Sequence, residues 1–400
     1  MKQATEASAA ALQLATYKEK NAALERIAKA LDTQREAIAA ANQKDLAQAT
    51  KENLADVLVK RLALSDTKID GLIQGIKDLI ALDDPIDKEL DKIQLDDDLV
   101  LTKKTCPLGV IGIVFESRPD ALVQIATLCI KSGNAVVMKG GKEALETNKC
   151  LATIIGEAAQ LPSGWLQLLE TRDDVQELLR CSEYIDLIIP RGSNAFVQHV
   201  MNNTNIPVLG HADGICHIYI DKDADLDMAV RVCTDAKCQY PAVCNAVETV
   251  LVHEAVKDVI PQLKEAMPDV TFVEDPASWA TEYNDLTLAI KTVASASEAI
   301  EHINTYGSKH TDAIITNNKE AADTFLQEID TANAFWNCST RFSDGFRYGF
   351  GAEVGVSTSK IHARGPVGLD GLTSYKWILK GTGDTVKEYA EGVKQFTHKR

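Results

Sequence analysis

From Met1 to about Leu82 the apolar residues recur at helical spacing in a background of Ala, Leu, Glu, Lys and Gln with almost no Gly or Pro, which predicts two or three long helices. The pattern stops at Asp84-Pro85. Ile93 to Thr105 then mixes apolar and polar residues around Asp96-Asp97-Asp98, as a polar hairpin or arm does. An exposed hairpin edge invites pairing with another subunit. A regular alternation follows: a buried strand at Val110–Phe115, a helix at Pro119–Ser132 with proline in its first turn, and a strand at Ala135–Met138. Next come a helix from about Glu143, a strand at Trp165–Leu169, a short helix near Asp173–Leu179 and a strand at Ile185–Ile189. After His217–Ile220 and the acidic run Asp221–Asp227, further strands are predicted at Thr249–Val252, Val270–Val273, Leu288–Val293 and Ala313–Thr316. Repeated β-α-β units imply an α/β fold of two doubly wound, mostly parallel sheets, with ligand crevices beyond the carboxyl ends of the strands. The expected division is 1–235, 236–349 for a second α/β domain, and 350–400 for a return segment, with the active site in the cleft between the two domains.

Composition narrows the function class. A chain of 400 residues, 45% hydrophobic, can bury a large core. With 42 Lys and Arg against 58 Asp and Glu, the formal charge of −16 argues against nucleic acid or an anionic membrane as partner. Nine cysteines without a C-x-x-C pair, and eight histidines without metal spacing, suit a reducing cytoplasm and no metal site. Neither an export signal nor a run of about 18 apolar residues is visible.

Within that frame a few turns carry chemistry. Tyr240-Pro241-Ala242-Val243-Cys244-Asn245 puts a thiol at the proline-broken start of a predicted helix, where unpaired N–H groups and the helix dipole favour the nucleophilic thiolate. A small buried core cysteine is the competing reading. Lys139-Gly140-Gly141-Lys142 closes a strand and opens a helix, which suits a phosphate, or else is a solvated turn with two surface lysines. Pro190-Arg191-Gly192-Ser193 is a second glycine turn on the same inferred sheet edge, and two such turns favour a dinucleotide. No G-x-G-x-x-G follows the first strand, and Gly349-Phe350-Gly351 reads as a tight loop. Arg118, in Glu116-Ser117-Arg118-Pro119, can hold a carboxylate or phosphate through paired donors, or can pair with a structural acid. Cys338, in Cys338-Ser339-Thr340-Arg341, reads as structural.

Taken together, Gly109-Val110-Ile111-Gly112 through Pro119, Ser132-Gly133-Asn134-Ala135 through Ala144, Pro190 to Ser193, the Cys244 segment, and Ser339-Thr340-Arg341-Phe342 through Phe350-Gly351-Ala352-Glu353, Lys360 to Pro366 and Leu372 to Lys376 resemble the gamma-glutamyl phosphate reductases of the aldehyde dehydrogenase superfamily. The resemblance spans nearly the whole chain, in order. It implies that Cys244 is the nucleophile, that Lys139 reaches the adenosine ribose and its phosphate, and that Glu282 faces the nicotinamide ribose. Gly140, Gly141, Arg191, Gly192 and Ser193 complete the implied cofactor site. Lys142 stands where relatives that prefer NAD often have an acid, so the resemblance implies NADPH. Two departures are Cys338 in place of the usual alanine, and the general-base position of aldehyde oxidisers falling near Gly210-His211-Ala212; a reductase must not hydrolyse its acyl-enzyme.

The implied reaction is reduction of L-glutamyl 5-phosphate to L-glutamate 5-semialdehyde through a cysteine thioester, in proline biosynthesis. Backbone N–H groups near Cys244, with Asn245, are expected to hold the oxyanion, and Arg118 and Arg341 the substrate's phosphate or carboxylate. An oxidising aldehyde dehydrogenase and a catalytically silent scaffold are the alternatives. The arm at about 88–107 and the strand Thr373–Lys380 are expected to build a homo-oligomer interface, and association with glutamate 5-kinase is a further expectation.

Overall fold

The computed structural model describes every residue except 117, 211 and 212, and the backbone alone at 56, 57 and 172. Ser117, His211 and Ala212 of the stretches singled out above thus lie outside the described residues. The chain forms two compact units, one comprising Met1–Gly192, Asn203–Val208 and Gly368–Arg400, the other Ser193–Asn202 and Leu209–Val367.

The first unit opens with five helices, α1 (Lys2–Leu14), α2 (Lys20–Thr33), α3 (Arg35–Lys51), α4 (Asp56–Leu62) and α5 (Asp66–Ala81), where periodicity predicted two or three. Helix-forming composition runs through the breaks, which are set locally. Asn53 after α3 takes a left-handed backbone, φ 53°, and the Ser65 hydroxyl accepts the Lys68 N–H to start α5 afresh. β1 (Glu89–Asp96) and β2 (Leu99–Pro107) form the predicted hairpin. The alternating region supplies β3 (Val110–Phe115), α6 (Pro119–Ser132), β4 (Ala135–Lys139), α7 (Leu145–Ala159), β5 (Leu166–Leu169), α8 (Arg172–Leu178) and β6 (Leu187–Arg191). All pairings in the sheet β5-β4-β3-β6 are parallel. Every residue of β3 is buried, and each large apolar side chain so placed contributes roughly 1.5–3 kcal/mol. Strand order reverses beside β3, the switch point where open α/β sheets bind ligands. Because the strands are parallel, the turns after β3, β4 and β6 emerge on one edge.

The second unit holds α9 (Asn194–Asn202), β7 (Cys216–Ile220), α10 (Leu226–Cys238), β8 (Val247–His253), α11 (Val259–Ala266), β9 (Thr271–Val273), β10 (Thr287–Val293), α12 (Ala296–Tyr306), β11 (Thr311–Ile315), α13 (Lys319–Glu328), β12 (Asn333–Trp336), β13 (Gly355–Ser357) and β14 (Gly365–Val367). Its six-stranded sheet runs β12-β11-β7-β8-β10-β9, all parallel, with β13 and β14 a separate antiparallel pair. The expected boundary at residue 235 is therefore corrected. β7 lies between β11 and β8 at the centre of the second sheet, and a strand buried on both faces does not announce which sheet it joins. The chain then returns to the first unit as β15 (Thr373–Lys380), antiparallel to β2 in a three-stranded arm, and a short α14 (Val386–Ala390).

Candidate active site

The structure corrects the local setting of Cys244. The preceding helix α10 ends at Cys238, Pro241 follows in irregular chain, and the β-branched run Val247, Thr249, Val250 and Val252 makes the next element a strand, so no helix begins at the cysteine. Instead the Ala246 N–H donates to the Val243 carbonyl at 3.0 Å, which makes Cys244 and Asn245 the central residues of a hydrogen-bonded turn. The helix N-terminus invoked for thiolate formation is absent from this segment.

Close packing takes its place. A Cβ on Gly214 would lie 2.3 Å from the Cys244 carbonyl oxygen and 2.4 Å from its Cα, so only glycine lets the two backbones approach this closely. The Cys216 thiol donates to the same carbonyl oxygen at 3.2 Å. Burial pushes that thiol well above its ordinary range, whereas Cys244 is only half-buried. Of the two sulfurs, Cys244 alone is placed to meet a ligand.

Arg341, in the 3₁₀ turn Thr340–Phe342, is buried and donates through Nη1 to the Asn245 Oδ1 and through Nε to the Gln239 Oε1 at 3.0 Å. Burial, then the neighbouring Arg347, hold its guanidinium below its usual basicity, while Asp344, Cys244 and Asp235 act the other way. Arg347 in turn donates to the Arg341 carbonyl at 2.6 Å. A guanidinium beside the thiol, with a second guanidinium next to the first, forms a setting that welcomes a divalent anion. The Asn245 side chain is buried, and its Nδ2 donates to the Ser343 carbonyl at 2.8 Å. That contact engages one of the two N–H donors of the amide.

Glu282 sits in the irregular segment before β10, where its carboxylate accepts the Asn194 Nδ2 at 3.0 Å; the same Nδ2 meets the Asp213 Oδ1 at 2.5 Å. Asn194 opens α9, directly after Arg191-Gly192-Ser193. Lys237 and Glu248, both without solvent exposure, pair at 2.8 Å. Burial pushes the Glu248 carboxyl up to about 7, against the pull of Lys237. Deleting one partner of such a pair costs roughly 3–5 kcal/mol, because the other charge is stranded.

In the first unit, Lys139 ends β4 with its side chain buried, level with Val114 of β3 and Leu169 of β5. A 3₁₀ turn, Lys142–Ala144, precedes α7. The two glycines are less open than the sequence implied. A Cβ on Gly140 would meet the Asn148 Nδ2 at 2.1 Å, and one on Gly141 the Glu143 Oε1 at 1.9 Å. Bare backbone beneath a buried lysine at a helix start fits a phosphate, provided the Glu143 carboxylate turns aside. Lys142 is exposed and lies 3.6 Å from Glu52. Arg191 closes β6, and its carbonyl accepts the Glu116 N–H at 3.2 Å. Arg118 pairs with Asp120 at 2.9 Å and is about half exposed, which is the structural-acid alternative read from the sequence.

Sequence reasoning missed Gly214, Gln239, Arg347 and the Lys237–Glu248 pair. Only the last carried a signal, a carboxylate inside the apolar strand Val247–Val252. The rest become neighbours only through folding.

Residues 1–286 match the model of the aldehyde dehydrogenase family. A gamma-glutamyl phosphate reductase of Pelotomaculum thermopropionicum is 58% identical, covering 95% of this chain and 92% of its own. That of Acetivibrio thermocellus is 57% identical over 95% and 93%. The crystal structure of the Thermotoga maritima gamma-glutamyl phosphate reductase superposes with a TM-score of 0.94 at 39% identity, covering 96% of this chain and 99% of that one. The chain belongs to the gamma-glutamyl phosphate reductases of the aldehyde dehydrogenase family and is an oxidoreductase.

Proposed function

We propose that this enzyme reduces L-glutamyl 5-phosphate to L-glutamate 5-semialdehyde, with Cys244 as nucleophile and NADPH as reductant, in proline biosynthesis. The carrying observation is the half-buried Cys244 on a turn locked against Gly214, beside the Arg341–Arg347 guanidinium pair. The Cys244 thiolate forms a C–S bond to the acyl carbon, and the phosphate leaves with the electrons of the broken C–O bond. Arg341 and Arg347 neutralise that departing dianion; Arg118, already paired with Asp120, is the weaker anchor. NADPH, when bound, supplies the hydride that reduces the thioester. Cys244 then recovers its electron pair as the C–S bond breaks and the aldehyde forms. Asn245, fixed by Arg341 and Ser343, orients the turn so that backbone N–H groups carry the oxyanion.

Lys139, Gly140, Gly141, Arg191, Gly192 and Ser193 hold the pyrophosphate and adenosine ribose in this reading, Lys142 favours the 2′-phosphate, and Glu282 takes the nicotinamide ribose. The arm of β1, β2 and β15, whose Tyr375, Trp377 and Leu379 are exposed, is proposed as the homo-oligomer contact. A cytoplasmic setting and contact with glutamate 5-kinase, which would shield a labile acyl phosphate, complete the proposal. Among the described residues no helix is long and apolar enough to cross a membrane.

The test runs the reaction in reverse. Oxidation of the semialdehyde with NADP should require inorganic phosphate, and Cys244→Ser should bind NADP yet lose turnover. Phosphate-independent oxidation to glutamate would instead indicate an aldehyde oxidiser, and an active Cys244→Ser variant would remove the thioester.

A further inference from the structure

We propose that the buried Lys237–Glu248 pair is a positioning device: it clamps the neck of the loop that carries Cys244 and, through the second carboxylate oxygen of Glu248, fixes the segment that carries Glu282. The inference rests on the reading of Cys244 as nucleophile and Glu282 as cofactor contact.

Lys237 lies in the last turn of α10 and Glu248 near the start of β8. Between those elements residues 239–246 have no regular structure beyond the turn at Cys244, so the two ends of the loop are held by what meets at its base. There the Lys237 Nζ and the Glu248 Oε2 meet at 2.8 Å with neither side chain exposed. Two apolar side chains would close the same neck without taking charges out of water, so packing stability alone does not account for the pair. What an apolar pair cannot supply is an acceptor. The Glu248 Oε1 accepts the Asn284 N–H at 3.4 Å and the carboxylate also takes the Tyr283 N–H. Asn284 has a left-handed backbone, φ 57°, inside a stretch that lacks regular structure, so this carboxylate is its anchor.

The consequence reaches both reacting partners. Glu282, two residues before Asn284, binds Asn194, which also binds Asp213; Asp213 adjoins Gly214, and Gly214 lies against the Cys244 backbone. A closed circuit of contacts thus runs from the clamp to the Glu282 carboxylate and back to the thiol. Loosening it should move the nucleophile and the cofactor contact together, whereas a pair that only stabilises the unit would change neither in the folded enzyme.

The experiment compares wild type with the double variant Lys237→Met/Glu248→Gln, which removes both charges together, and with Glu248→Asp, which keeps the charge but withdraws the carboxylate by one methylene. For each, circular dichroism reports folding, iodoacetamide labelling mapped by mass spectrometry reports the reactivity of Cys244, and steady-state kinetics give kcat and the KM for NADPH. The folded double variant should show kcat down about tenfold, KM for NADPH up about threefold and Cys244 labelling changed at least threefold, with Glu248→Asp intermediate. A folded double variant with all three within about twofold of wild type would overturn the clamp; should it not fold, Glu248→Asp decides by the same measures, wild-type values overturning it. Cys244→Ser in the same series separates the two ideas. If it is inactive while the clamp variants behave as wild type, the clamp alone fails; if it is active, the underlying reading fails.

Discussion

Two glycines, one in each unit, meet obstacles at nearly the same distance and yet differ in kind. A Cβ on Gly140 would reach the Asn148 Nδ2 at 2.1 Å, and one on Gly214 the Cys244 carbonyl oxygen at 2.3 Å. The first obstacle is the end of a side chain that rotates about two bonds. The second is the main chain of the turn that carries Cys244. The turn after β4 thus meets its glycines with side-chain ends, those of Asn148 and Glu143, beside an exposed Lys142. The Cys244 turn is built from backbone and buried polar contacts with no slack. Binding a flexible cofactor can adapt by rotamer changes; placing one sulfur atom cannot, since misplacement by about 1 Å can cost 10²-fold in rate.

The largest effect is expected where that contrast is sharpest. Gly214→Ala should lower kcat/KM by about 10²-fold or more in a protein that still folds, because the new methyl displaces the Cys244 backbone. Near-normal turnover would show that the turn has slack after all. Gly140→Ala should raise the KM for NADPH by about tenfold and leave kcat nearly unchanged, as a loss of uniform binding does. A collapse of kcat instead would erase the distinction between the two turns.

A smaller effect is thermodynamic. His302, buried in α12 beside His217, Lys291, Trp279 and Tyr306, is held to about 3 from its ordinary 6.5, first by burial and then by the charges of His217 and Lys291. Between those two values the unfolded chain binds a proton that the folded chain refuses, so stability is complete above about pH 6.5 and declines as the pH falls below it. Melting temperature measured from pH 7.5 to 4.5 should fall more steeply in wild type than in His302→Gln. Parallel curves would assign the acid limb to other groups.

The same contrast explains what the sequence made legible. Strands β3, β4, β8, β10 and β11 were readable because apolar runs and punctuating Gly and Pro are local signals, and so were the turns at Lys139 and Arg191. The family resemblance picked out Cys244 and Arg341. Their surroundings were not readable: Gly214 lies 30 residues before the cysteine and Arg341 97 after it, and nothing in either segment states that the two converge on it. The helix assigned to Cys244 failed for a related reason. Proline marks an element boundary but not which element follows, and the β-branched run after Ala246 decided for a strand. The domain boundary failed because β7 joins a sheet formed mainly by later residues.

The most direct measurement is the mass of the enzyme itself. Mixed with L-glutamyl 5-phosphate generated in place and no nicotinamide cofactor, then quenched in acid, the chain should gain one glutamyl group on the peptide containing Cys244, with release of one equivalent of phosphate, and NADPH added before the quench should remove that adduct. Phosphate release with no adduct, or an adduct on Cys216 or another thiol, would contradict Cys244 as the acyl carrier.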